Sequence, residues 1–85
     1  MKAPKVEQLA NNQFIINCSD KTIFQSYNSI IAVKKLDGKG TVILDSYYWD
    51  YSRTTGRYRN QFLNEGIAET RKNIENGTYK LDNLN

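Results

Sequence analysis

The chain has 85 residues, 12 Lys and Arg against 9 Asp and Glu for a formal charge of +3, 39 % apolar residues and 12 % aromatic ones. That is the sequence of a single small globular domain, residues 1–85, with a modest core, since so short a chain hides only roughly 60 to 65 % of the surface its unfolded form exposes, yet it is too rich in bulky residues for a disordered segment. Having no histidine and a single cysteine, Cys18, it lacks the groups for a common zinc site, a Ser-His or Cys-His pair, a P-loop or an internal disulfide. No catalytic residue, metal ligand or cofactor is expected.

The lone thiol suits a reducing compartment, no basic-then-apolar leader opens the chain, and no run approaches about 18 apolar residues. A cytoplasmic, non-membrane protein is expected. Arg53, Arg57 and Arg59 are three of the four arginines, and without them the chain is formally neutral. The basicity is local.

Residues 1 to 5 are basic and expected to fray. Over Lys5 to Ala10 the pattern is ambiguous. Val6, Leu9 and Ala10 fit one helical face, but Asn11-Asn12 followed by Phe14-Ile15-Ile16 favours a strand and hairpin. Gln13 to Cys18 reads as a strand ending at the polar turn Ser19-Asp20-Lys21, and Thr22 to Tyr27 as its hairpin partner. Tyr27-Asn28-Ser29 interrupts the apolar series before Ile30-Ile31-Ala32-Val33, which predicts a bulge or corner, because Asn and Ser bond locally to the backbone. The clearest hairpin signal is Leu36-Asp37-Gly38-Lys39-Gly40, with Thr41 to Asp45 as the returning strand.

Tyr47, Tyr48, Trp49 and Tyr51 follow in quick succession. Thr54 or Thr55 is predicted to cap a helix running to about Leu63, with Thr55, Tyr58 and Phe62 on one face and Arg57, Arg59 and Gln61 flanking it. Gly56 weakens that helix. A second helix starts at the N-cap Gly66, carries Glu69 in its first turn and Ile67 and Ile74 on one face, and stops at Gly77. Thr78 to Leu81 alternates as a last strand. Strands first and helices after them predict an α+β fold: an antiparallel sheet of about four to five strands with two short C-terminal helices packed on one face. The other sheet face is then open to solvent or to a partner.

The stretch Trp49 to Leu63 holds the only tryptophan and those three arginines. Aromatic rings and guanidinium groups are the side chains that most often carry interface energy, although the same rings also serve as core. Trp49, Tyr58 and Phe62 are expected where strands hand over to helices. Tyr51, Arg53, Arg57 and Arg59 are the expected partner-binding residues. Two readings of them stand. In one they contact a protein; in the other they meet phosphates while nearby tyrosines stack on bases, in a helix-turn-helix-like outline. The second helix sets Arg71 and Lys72 against Glu69 and Glu75, a balanced surface that speaks against a dedicated DNA reader. Asp45, Asp50 and Glu65 form no pattern that predicts acid-base work.

Ser26-Tyr27-Asn28-Ser29, with Trp49-Asp50-Tyr51-Ser52-Arg53-Thr54-Thr55 after a glycine hairpin, resembles a family of small uncharacterised proteins encoded by phages, prophages and plasmids of Gram-positive bacteria. The likeness spans roughly residues 13 to 81. It departs at Leu63-Asn64-Glu65, where Leu-Gly-Glu is the family pattern; Asn also tolerates the left-handed turn. The resemblance implies a small accessory gene of a mobile element, plausible company for inhibitors of bacterial defence such as anti-CRISPR proteins. The implied partner is a host or defence-system protein or nucleoprotein. A +3 chain does not mimic DNA, so such an inhibitor would act by another contact.

Overall fold

The computed structural model describes residues 4–85. Five strands run as an up-and-down meander: β1 (Lys5–Ala10), β2 (Gln13–Asn17), β3 (Lys21–Ser26), β4 (Ser29–Lys35) and β5 (Val42–Asp45). Two helices follow, α1 (Arg53–Leu63) and α2 (Ile67–Glu75), and then β6 (Tyr79–Asp82). Residues 5 to 10 are thus a strand. The expected fraying of residues 1 to 3 lies outside the described residues, while Lys5 already pairs with Asn17.

The six strands form one sheet in sequence order. Neighbours from β1 to β5 are antiparallel, but β6 lies parallel to β5, with Val42 opposite Tyr79 and Leu44 opposite Leu81. The fold is α+β as expected, with two corrections. The sheet has six strands, not four to five, and it is mixed, not antiparallel. Parallel neighbours need a crossover of a dozen or more residues, and the helical pair supplies one between Asp45 and Tyr79.

Turn chemistry explains the hairpins. Asn12 takes a φ of 61° at the β1–β2 turn, a left-handed conformation that Asn tolerates. Asp37 accepts from the Lys39 N–H at 2.9 Å and from the Thr41 hydroxyl at 2.8 Å, while Gly38 and Gly40 supply positive φ. Between β3 and β4 the connection is only Tyr27-Asn28, with Ser26 opposite Ser29. The predicted irregularity appears one step further on: Gln25 pairs with Ile30 and Phe24 with Ala32, leaving Ile31 as an extra residue. That bulge lets consecutive Ile31 and Ala32 both enter the core.

The core lies between the sheet and the helices. Phe24, Ile31, Ala32, Val42 and Leu44 from the strands meet Phe62 and Leu63 of α1, with Trp49, Tyr58, Ile74 and Tyr79 packed around them. Phe24 and Phe62 stack with ring centroids 5.8 Å apart. Lys34 lies over the Phe62 ring and donates to the Phe62 carbonyl, satisfying an acceptor that the helix end leaves without an intrahelical donor.

Helix α1 begins two to three residues earlier than the threonines suggest. Its N-cap is Ser52, whose Oγ accepts the Thr55 N–H at 3.1 Å. Thr55 is instead buried and shares a 3.0 Å hydrogen bond with Ser26 of β3. The C-cap Asn64 adopts φ 56°, ψ 45° and its N–H reaches back to the Asn60 and Gln61 carbonyls. Gly66 caps α2, and Gly77 with φ 82° ends it, both as expected.

Candidate interaction site

The loop from Ser46 to Ser52 is fastened by two buried charges. Asp45, at the end of β5, accepts the Tyr47 and Tyr48 N–H groups through Oδ2 at 3.0 and 2.7 Å, and the Leu84 N–H and the Asn85 side-chain amide through Oδ1 at 2.8 and 3.0 Å. Burial by itself raises its pKa, but the bonds from Leu84, Tyr48, Asn85 and Tyr47 outweigh it and hold the carboxyl below its usual range. Asn85 also brackets Ile30, accepting from its N–H at 2.8 Å and donating to its carbonyl at 3.0 Å. One carboxylate therefore joins β4, β5 and the tyrosine-rich loop.

The second charge is Arg59, which is 2 % exposed. Its Nη1 donates to the Trp49 carbonyl at 2.6 Å and sits 3.4 Å from Asp50 Oδ1, its Nη2 donates to Asn60 Oδ1 at 3.1 Å, and its guanidinium lies 5.5 Å from the Trp49 ring. Burial pulls its pKa below the ordinary arginine range, opposed by the Asp50 carboxylate; an arginine nonetheless stays charged. A Cβ at Gly56 would stand 3.4 Å from Arg59 Nη2. That glycine, a poor choice for helix propensity, leaves room for the guanidinium. Arg59 is therefore corrected from a surface contact to an internal fastener. Gly56 three residues before it and Asp50 nine before it are the local signals of that role.

Outside these anchors the aromatic rings are on display. Tyr47 and Tyr48 meet edge-on at 4.7 Å and Tyr48 and Tyr51 at 5.3 Å. Tyr48 packs against the core, but Tyr47 and Tyr51 are 64 % and 62 % exposed. Across from them stands Tyr27 of the β3–β4 turn, 54 % exposed, with a φ of 55°. Bulky side chains rarely adopt that conformation. Between the two lies a cleft of about 420 Å³, lined by Tyr27, Asn28 and Ser29 on one side, Tyr48 and Tyr51 on the other, and by Ile31 and the bonded Ser26 and Thr55. The Ser-Tyr-Asn-Ser and Tyr-Ser-x-Thr-Thr phrases, distant in sequence, thus meet in one place.

A second depression, of about 550 Å³, runs beside α1 and is lined by Asp50, Ser52, Gly56, Asn60 and Ile67, by the exposed Arg53 and Arg57, and by the nearly enclosed Arg59. The four expected binding residues are therefore divided. Tyr51 belongs to the aromatic cleft and Arg53 and Arg57 to the neighbouring depression, which Arg59 borders while its side chain stays enclosed. Sequence reasoning missed Tyr27 as a partner of Tyr51, although an aromatic residue between serine and asparagine in a tight turn is a visible signal of display.

The remaining carboxylate cluster is a tie between helix and strand. Glu65 accepts from the Thr70 hydroxyl at 2.7 Å and from the Tyr79 hydroxyl at 2.5 Å. Burial first, and then the Glu65 bond and charge, push the Tyr79 pKa up to about 12. Among the described residues no group of His, Cys, Asp and Glu is arranged to hold a metal ion, and no helix is long and apolar enough to cross a membrane.

Meander, helical crossover and aromatic cleft define a small α+β protein with a Tyr- and Arg-bearing surface. By sequence the chain belongs to a family of unknown function (DUF8033), whose model matches residues 1–79. Neither a curated protein nor a solved structure matches it.

Proposed function

We propose that this is a non-enzymatic binding protein of a phage or other mobile element, an anti-defence inhibitor of the anti-CRISPR kind that acts by protein–protein contact. Tyr51, Arg53 and Arg57 form its contact surface, with Tyr27 and Tyr47 beside them. The observation that carries this reading is the outward display of three tyrosine rings next to two free guanidinium groups. Tyr and Arg in such a patch are the residue types that dominate binding hot spots. The mobile-element setting rests on the resemblance of the two sequence phrases that line the cleft. Nucleic-acid contact remains the alternative, but with Arg59 inside the protein only Arg53 and Arg57 of the cluster can reach phosphates.

The test is affinity capture of the tagged full chain from a bacterial host, beside Arg53→Glu/Arg57→Glu and Tyr51→Ala variants. The expected result is one retained protein, released by both variants while their unfolding temperatures stay at the wild-type value. A partner held equally by all three proteins places the contact elsewhere and overturns the site. Generic DNA and RNA are titrated in parallel. Binding at low salt that weakens steeply as salt rises favours the nucleic-acid alternative.

A further inference from the structure

The strands are apolar on both of their faces, yet the helices cover one. Phe24, Ala32 and Leu44 pair across β3, β4 and β5 and face α1. Their sequence neighbours form a second set. Val6 pairs with Ile16, Ile16 with Ile23, Ile23 with Val33, Val33 with Ile43, and Ile43 with Lys80. Residues paired in this way share a face. One apolar row therefore crosses the whole sheet on the side away from the helices and closes on a lysine. Gln8, Phe14, Gln25 and Ile30 make a second, half-polar row on that side. None of the described elements lies over it, since α1 and α2 both pack on the Phe24 side. In the single chain Val6 is exposed, Ile16, Ile23 and Ile43 are half-buried and Val33 is 8 % exposed; strands apolar on both faces are the mark of a sheet covered on both sides.

We infer that this face is covered by a second copy of the chain, sheet against sheet. Six strands at about 4.8 Å spacing and about five residues of depth at about 3.4 Å make a face of roughly 500 Å² before side-chain relief is counted. Two such faces together bury on the order of 1,000 Å², the size at which a specific contact begins. The row is also self-complementary. A two-fold axis along the strands between β3 and β4 sets Ile23 over Val33 of the other copy and Ile16 over Ile43. Val6, 62 % exposed, then meets the aliphatic stem of Lys80, whose ammonium reaches the rim. Lys80 is never opposed to itself. Lys21 and Lys35, paired across β3 and β4 on the same face, sit at one end, where their mutual repulsion is screened by salt. Sheets pack this way with strands within about 30° of parallel. Helix α1 is on the far side, so the assembly leaves Tyr51, Arg53 and Arg57 free on each copy, and it stands whether or not those residues bind a partner.

Sedimentation equilibrium of the full chain across a wide concentration range tests this. The 9.8 kDa chain should give twice its mass, while Ile16→Glu and Ile43→Lys each give the single-chain mass. Mixed in equal amounts, these two variants should recover the two-chain species, because the axis brings position 16 against position 43. Circular dichroism and thermal unfolding establish that each is folded; should either fail, Val6→Lys on the exposed edge strand, which sets a second cation against Lys80 of the other copy, takes its place and should weaken association at least tenfold. Raising the salt should tighten the dimer. A wild-type chain that stays monomeric at its highest soluble concentration overturns the inference. So does a dimer unchanged by Val6→Lys, a variant mixture that stays monomeric, or a dimer that salt loosens.

Discussion

Arg57 and Arg59 stand two residues apart on α1, in the same aromatic-rich stretch, and the helix sends one outward and the other inward. Arg57 is exposed, with its guanidinium 5.9 Å from the Tyr58 ring. Arg59 is enclosed, joining Trp49, Asp50 and Asn60. The outer side of the helix is thus free to meet a partner, whereas the inner side holds the loop that presents Tyr47 and Tyr51. A charged cluster in a sequence does not by itself mean a charged surface. Asp45 makes the same point for anions, since it is nearly enclosed while its neighbour Asp50 is exposed enough to meet Arg71 at 3.5 Å.

The largest expected effect separates those two arginines. Arg59→Met keeps most of the buried volume but removes the bonds to Trp49 and Asn60 and the pairing with Asp50, and should cost about 2–4 kcal/mol in urea unfolding. Arg57→Met should stay within about 0.5 kcal/mol of wild type. Equal losses would erase the distinction between the two sides of the helix.

Next comes Asp45, for which Asp45→Asn should cost about 2 kcal/mol at neutral pH. The sign with pH follows from its lowered pKa. The folded state holds the carboxylate more tightly than the unfolded chain, so this stabilisation is complete above the unfolded value of about 3.9 and is lost as pH falls through the folded one. Wild type should lose unfolding temperature on acidification below about pH 4, and the variant should lose less.

A smaller effect is expected at the opposite end of the pH scale. Tyr79 has its pKa raised to about 12, so the folded state favours the neutral phenol. That contribution is present below the unfolded value of about 10 and fades as pH rises toward the folded one. Tyr79→Phe should cost about 1 kcal/mol at neutral pH and remove this alkaline decline, measured as unfolding temperature against pH.

The smallest expected effect sharpens the account of Gly56. Alanine is the better helix former by about 1 kcal/mol, but its Cβ would press on the Arg59 guanidinium. Gly56→Ala should therefore gain little in the wild type and more in the Arg59→Met background, by about 0.5 kcal/mol in a double-mutant cycle. Additive effects would mean that the glycine serves some other end.

Much of this architecture is legible in the residues. Asp37-Gly38, Asn11-Asn12, Gly66 and Gly77 mark turns and helix ends because their chemistry acts over two or three positions, and the β-branched runs mark strands for the same local reason. The bulge before Ala32 was legible as an interruption. The start of α1 was displaced because Ser52 and Thr55 compete as caps, and the tertiary bond from Thr55 to Ser26 decides between them. Of the expected contact residues, Tyr51, Arg53 and Arg57 are displayed, while Arg59 is enclosed because Gly56 and Asp50 receive it.

The sequence by itself determined the order of elements, the α+β class, the hairpin turns and the absence of histidine from any site, since each depends on composition or on neighbours a few residues apart. Only the tertiary structure decided that β6 lies parallel to β5, that Arg59 turns inward, that Tyr27 faces Tyr51 across a cleft, and that Val6, Ile16, Ile23, Val33 and Ile43 align in one row across the open sheet face. Those four depend on contacts between residues far apart in the chain. Such contacts are fixed by which buried surfaces and charges can be satisfied together, and local pattern carries no record of that choice.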